Sequence, residues 1–376
     1  MNAPGGPVSA PTAMLREIRT VPEVVGGFLR EGRAEIDAAA AAIRAADPAW
    51  VSLVGRGTSD HAATHLRYLI ETELGIPTGL AAPSTVTIYG ARLRWRVGLV
   101  IAVSQSGRSP DLVEVVGAAR RGGALTVAIV NDAGSPLAAA ADHVIDCRAG
   151  EERAVAATKS YVAELAAGAA LVARLSPGRE LGAALPRLPD LLAETLASAQ
   201  RAVHDDAPIV AEFAASERSI VIGRGFEYPT ALETALKLKE TGRLFAEGYS
   251  SADFSHGPVV LSGPGVPILV IRPDGRMGRL VDEAISTAVA TGSMPWLIGG
   301  ADVAGGADAS SGAATGAPAG LDPGRLIALP LPADLPEGLV PLATILVGQL
   351  LAEAVARRRG LDPDAPSGLH KVTLTR

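Results

Sequence analysis

The stretch WVSLVGRGTSDHAATHLRYLIETEL, residues 50–74, decides the fold. A short apolar run leads into a Gly-Arg-Gly turn, and the residues after Ser59 carry apolar side chains at helical spacing. The pattern predicts strand, turn and helix. The same order returns at residues 222–240, IGRGFEYPTALETALKLKE, an internal match that predicts two similar halves. Working outward, the first half continues GLVIAVS, SPDLVEVVGAARRGG and LTVAIV. The second runs SIVIG, YPTALETALKLKETG, VPILVI, MGRLVDEAISTAVATG and MPWLIG. Apolar runs alternating with amphipathic stretches imply parallel βαβ units, so each half is expected to be a parallel sheet flanked by helices, a three-layer α/β/α sandwich.

The remaining segments arrange around these halves. Residues 1–30 read as an N-terminal segment, 31–180 as the first α/β domain, 181–207 as linking helices, 208–360 as the second domain and 361–376 as a tail. Residues 14–46 have helical patterning interrupted around Pro22, and 158–207 are rich in Ala and Leu at helical spacing. The run at 299–320, dominated by Gly, Ala and Ser without periodicity, is expected to be a flexible surface insertion. Residues 339–358 return as a helix with Gly360 as its cap. The tail that follows contains Pro363 and Pro366, which forbid a simple helical continuation.

Composition narrows the function. The 376 residues are 48% hydrophobic and 20% charged, a globular balance. A net charge of -6 removes the basic field of a nucleic-acid binder. The one cysteine, Cys147, excludes an internal disulfide and a multi-thiolate metal site, and fits a reducing cytoplasm. No secretory signal is visible at the N-terminus. The apolar run at 339–352 falls short of the roughly 20 residues a bilayer needs, so a buried helix and no membrane association are expected.

Candidate chemistry lies in two βα turns. Ser104, Gln105, Ser106, Gly107 and Ser109 follow an apolar strand and precede a helix, while Gly57, Thr58 and Ser59 open the helix of the preceding unit. In a parallel sheet such turns meet at the carboxyl ends of the strands, where helix N-termini offer N–H groups to anions. Hydroxyls there suit a phosphate. A serine at such a place is also a routine helix cap, yet one cap needs one hydroxyl, not five. The second half reads IRPDGR at the equivalent strand end, which predicts one phosphate site per chain. Neither GRG turn fits the dinucleotide fingerprint, since Asp60 and Tyr228 stand at the third glycine position, so no nicotinamide cofactor is expected. His61 and His65 have metal-compatible spacing, but no glutamate follows the first; no metal is expected, and partial burial or a solvent-facing helix side accounts for both.

The motifs GTS with SQSG, EERAVAATKSYVAEL, GRGFEYPTALETALKLKE, HGP and PSGLHK resemble the sugar isomerase (SIS) half of glucosamine-6-phosphate synthase, over residues 14–376. Asn2 stands where that enzyme has a catalytic cysteine and no glutaminase domain precedes, so glutamine-dependent amination is not expected. The chain is similar to stand-alone tandem-SIS amino-sugar-phosphate isomerases and deaminases. The resemblance implies phosphate binding by Thr58, Ser59, Ser104, Gln105, Ser106 and Ser109, with sugar contacts at Gly57, Val155 and Ala157. It implies Glu240 as the carboxylate moving a proton between C1 and C2, with Lys237 nearby. His256 would open the sugar ring from the partner subunit, making a homodimer or larger assembly with shared sites, and Lys371 would contact the open-chain sugar. Phe245, Asp253 and Ala157 depart from the synthase, which leaves the substrate open.

The chemistry is coherent without a cofactor. One carboxylate between adjacent carbons suffices for aldose–ketose isomerisation, and histidine titrates near neutrality. A solvated role for Glu240, with Lys237 as a surface partner at i−3, is the alternative for that pair. His256 would otherwise support a turn, and Lys371 would be an exposed chain end. Three functions follow: deamination of glucosamine 6-phosphate to fructose 6-phosphate, elimination of the C3 hydroxyl from N-acetylglucosamine 6-phosphate, or sugar-phosphate sensing without catalysis. The expected partner is a hexosamine 6-phosphate in the cytoplasm.

Overall fold

The computed structural model describes residues 10–176, 178–300 and 321–371. Ten strands form two five-stranded sheets, and every pairing is parallel. The first contains β1 (Trp50–Val54), β2 (Thr78–Leu80), β3 (Gly98–Ser104), β4 (Leu125–Val130) and β5 (His143–Asp146), in the order β2-β1-β3-β4-β5. The second contains β6 (Arg218–Gly223), β7 (Phe245–Ser250), β8 (Ile268–Arg272), β9 (Trp296–Gly299) and β10 (Leu326–Ala328), in the order β10-β9-β8-β6-β7. The two orders are the same once the halves are superposed in sequence, as the repeated GRG turn predicts.

Helices in the first half are α1 (Ala13–Arg19), α2 (Val21–Glu31), α3 (Arg33–Ala46), α4 (Thr58–Glu73), α5 (Ser84–Thr87), α6 (Pro110–Arg121), α7 (Pro136–Ala140) and α8 (Lys159–Leu175). After α9 (Glu180–Ala184) and α10 (Leu188–Ala202) come α11 (Pro208–Ala215), α12 (Tyr228–Gly242), α13 (Ser251–Ser255), α14 (Gly275–Ala290) and α15 (Val340–Arg358). The N-terminal helices are interrupted at Thr20, beside Pro22, which occupies the first turn of α2, where its missing N–H costs nothing; a second break falls at Gly32.

Both GRG turns depend on a missing side chain. A Cβ on Gly55 would lie 2.6 Å from the carbonyl oxygen of Ser59, and one on Gly223 would lie 2.1 Å from that of Glu227. Only glycine lets each strand end run so close to the helix that follows.

The longest apolar helix, α15, is buried along nearly its whole length and packs on α12, α10 and α11. Helices α12 and α4 also touch, so the helices of the two repeated units meet face to face. Gly299 closes β9, so the strand runs into the stretch read as an insertion. Residues 301–320 of that stretch lie outside the described residues, as do 1–9 and 372–376. The tail before Lys371 is fastened at its base: the Asp364 carboxylate accepts from the N–H groups of Ala13 and Met14 (2.7 and 2.8 Å), and Val155 N–H donates to the Asp364 carbonyl (3.0 Å).

Candidate active site

In each sheet the strand order reverses beside the first strand of the unit: β1 lies between β2 and β3, and β6 between β7 and β8. Loops leaving β1 and β3 therefore diverge, and a crevice opens at their carboxyl ends. A cavity of about 340 Å³ lies there, lined by Arg56, Gly57, Thr58, Ser59, Ser104, Gln105, Ser106, Ser109, Val155, Ala157, Glu240, Leu369, His370 and Lys371. Twelve of the thirteen positions that the sequence singles out are at this cavity or one contact from it. Lys237 is the one-contact case, and His256 is the exception.

Two turns form the serine-rich end of the cavity. Helix α4 starts at Thr58 behind Gly57 (φ +54°), and α6 starts at Pro110 behind Ser109; no side chain caps either helix. The hydroxyl of Ser109 is thus not engaged as a cap, against the ordinary reading of a serine before a helix. Gly107 (φ +61°) turns the β3 loop, and a Cβ there would lie 2.1 Å from Ser135 Oγ. Ser104 Oγ accepts from Gly107 N–H (3.1 Å), bracing the loop. Arg56 adds a cation: its guanidinium pairs with the buried Asp111 carboxylate (2.7 Å) while half its side chain remains exposed.

Thr58 has a more specific place than the sequence predicts. Its hydroxyl donates to Glu233 Oε1 (3.0 Å) and accepts from Lys237 Nζ (3.1 Å), so its proton is committed within the protein. Lys237 also pairs with Glu233 (3.3 Å) and with Glu240, and His61 Nδ1 lies 2.7 Å from Glu233 Oε2. Lys237 is fully buried, which overturns the reading of it as a surface partner. Burial alone would lower its pKa, but the charges of Glu233 and Glu240 outweigh that and hold the ammonium above the usual lysine value. His65 is fully buried, its Nε2 2.8 Å from the Gly338 carbonyl oxygen, and His61 is partly buried against Glu233, so each ring is engaged within the protein. Among the described residues no cluster of three His, Cys, Asp or Glu side chains suits a metal ion.

Lys371 closes the cavity. Its ammonium donates to Glu152 Oε2 and to the Ala154 carbonyl, each at 2.8 Å. Burial pushes the Glu152 carboxyl up, but the charge and hydrogen bond of Lys371 and the donors Ser160 and Thr158 outweigh it and keep it below the usual carboxylate range. Lys371 is thus no loose chain end. His256, at the C-cap of α13, is exposed and does not line the cavity of its own chain.

Sequence reasoning missed Arg56, Glu152, Glu164, Glu233 and His370. Glu233 had a signal: with Lys237 and Glu240 it shares one face of α12 at i, i+4 and i+7.

The SIS domain model matches residues 49–174 and 212–300, more than half of the chain. The chain belongs to the SIS domain family. Glutamine–fructose-6-phosphate aminotransferase (isomerizing) of Methanothermobacter thermautotrophicus is 37% identical over 325 residues, which cover 85% of this chain and 51% of that protein. The enzyme of that name from Gloeobacter violaceus is 35% identical over 375 residues, covering 95% of this chain and 58% of that protein. The SIS chain thus spans about half the length of these curated relatives, and the similarity is to their isomerase half. Among solved structures, a candidate phosphosugar isomerase from Silicibacter pomeroyi superposes with a TM-score of 0.80 at 36% identity, covering 94% of this chain and 100% of that one. Glucosamine-6-phosphate deaminase from Thermotoga maritima shares the fold, with a TM-score of 0.71 at 20% identity over 97% of this chain and 100% of that one.

Proposed function

We propose that this SIS protein converts a hexosamine 6-phosphate by proton transfer between C1 and C2, and that its reaction is deamination of glucosamine 6-phosphate to fructose 6-phosphate. The observation that carries this reading is the gathering of the serine-rich anion cradle, Glu240 and Lys371 around one cavity, although they come from opposite ends of the chain. The volume, about 340 Å³, lies within the roughly 300–1,000 Å³ of small-molecule sites. The phosphate binds Ser104, Gln105, Ser106, Ser109 and the α4 turn. The sugar extends past Gly57, Val155 and Ala157 toward Glu240.

In the open-chain substrate the Glu240 carboxylate takes the C2 proton, giving an enolamine, and returns a proton to C1. The resulting C2 imine adds water and releases ammonia, leaving the ketone of fructose 6-phosphate. Lys237, held as an ammonium, pairs with Glu240 and orients it. In this reading Lys371, which lines the cavity, meets the sugar carbonyl. His256, exposed and away from its own cavity, fits ring opening in the site of a second subunit, so the functional unit is a homodimer or larger.

The test is proton NMR in deuterated water, with glucosamine 6-phosphate and N-acetylglucosamine 6-phosphate offered separately. The expected result is fructose 6-phosphate, ammonia and deuterium at C1 of the product or at C2 of recovered substrate, all abolished by Glu240→Gln. An olefinic product from the acetylated sugar would replace deamination by C3 elimination. Exchange in neither sugar would leave a sugar-phosphate binding protein.

A further inference from the structure

Glu164 lies on α8 directly behind the anion cradle and has no part in the chemistry above. Its side chain is buried, Oε1 is 2.9 Å from Ser59 Oγ, and Oε2 is buried without a hydrogen-bond partner among the described residues. Burial pushes this carboxyl well above the carboxylate range; the Ser59 hydrogen bond opposes the shift, and the charges of Glu152 and Glu233 add to it. Lys371 faces it from the tail with the opposite effect, and the neighbouring titratable groups Cys147 and Tyr161 are themselves buried and pushed toward their neutral forms. Among the described residues no cation touches Glu164 to stabilise an anion there.

A serine hydroxyl has one proton. If Ser59 donates it to Glu164, nothing is left for a phosphate oxygen, which only accepts. If Glu164 carries the proton and donates to Ser59 Oγ, the Ser59 proton is free to turn into the cavity. We infer that Glu164 is a positioning residue for the phosphate group: as a carboxylic acid it donates to Ser59 Oγ and so directs the Ser59 hydroxyl onto the bound anion. This rests on the reading of the cavity as a phosphate site. Ser59 is thereby distinguished from Thr58, whose proton is already held by Glu233.

The experiment is calorimetric titration of the full chain with inorganic phosphate. Glu164→Gln, whose amide also donates, should bind within about twofold of wild type. Glu164→Leu should bind about tenfold more weakly, equivalent to about 1.4 kcal/mol. Ser59→Ala should lose as much, and the double variant no more than Ser59→Ala alone. Equal affinity of Glu164→Leu and wild type, or losses that multiply in the double variant, would overturn the inference while leaving the phosphate site intact. Failure of wild type to take up phosphate would overturn both. Should Glu164→Leu not fold, difference infrared spectroscopy of wild type decides: a protonated-carboxyl band that shifts on adding phosphate and is missing from Glu164→Gln is expected, and no such band refutes the proposal.

Discussion

Where α4 meets α12 and α15, two buried groups titrate in opposition. Glu227 is 1% exposed, with Thr344 Oγ1 at 3.1 and 2.9 Å from its two oxygens. Burial pushes its carboxyl to about 7, with Thr344 opposing and Glu337 adding to the rise. A folded value above the unfolded one means that the neutral acid's stability is fully present below pH 4.5 and is lost as pH rises to about 7. His65, across the junction, is pushed down to about 4 by burial, the Gly338 carbonyl opposing. Its contribution is present above pH 6.5 and lost as pH falls toward 4. Between these limits the two slopes offset each other. Glu227→Gln removes one of them. Moving a carboxyl from 4.5 to about 7 corresponds to about 3 kcal/mol. The variant should therefore gain about 3 kcal/mol on wild type between pH 4.5 and 7.5, and no more above. At roughly 2.1 cal/mol/K per residue this is a relative rise of about 4 °C in melting temperature. Denaturant unfolding at half-unit pH intervals measures it. Stability profiles that stay parallel across that range would refute the reasoning.

Two further predictions concern the site. Lys237→Met strands Glu233 and Glu240 beside each other without their shared cation, so thermal or denaturant unfolding should report a loss of about 3–5 kcal/mol; a near-neutral change would mean that the ammonium is not the cation of this cluster. Mixing Glu240→Gln subunits with His256→Ala subunits should restore part of the activity that neither has alone, and mixtures that exchange subunits yet stay inactive would place His256 outside the neighbouring site.

Much of the architecture is legible locally. The two GRG turns announce the repeat because each needs a glycine where the strand meets the next helix, and the central strands β1, β3, β4, β6 and β8 are runs of buried apolar residues. The edge strands β2, β5, β7 and β10 are harder to read. The strand β2 has only three residues, Thr78–Leu80, and β7, Phe245–Ser250, exposes much of its length, so neither carries the apolar run that marks a buried strand. The serines of the cradle are legible for the same local reason, since both loops sit between a strand and a helix.

What stayed hidden is long-range. Thr58 and Glu233 are 175 residues apart, Lys371 and Glu152 219, and Asp364 and Met14 350. No spacing rule spans such distances. These contacts do more than join the halves. Thr58 begins α4 beside the proposed anion cradle, and Glu240, the proposed base, lies in the last turn of α12; Lys237 bonds to both residues, so one buried ammonium ties the two sides of the cavity together. The Glu152 carboxylate does the same for the tail, holding Lys371 over the cavity from the loop between β5 and α8. A substitution that loosens either ion pair should thus impair turnover even where every group proposed to touch the sugar is retained, because the serine-rich turns and Glu240 belong to different halves and these buried charges help fix one against the other.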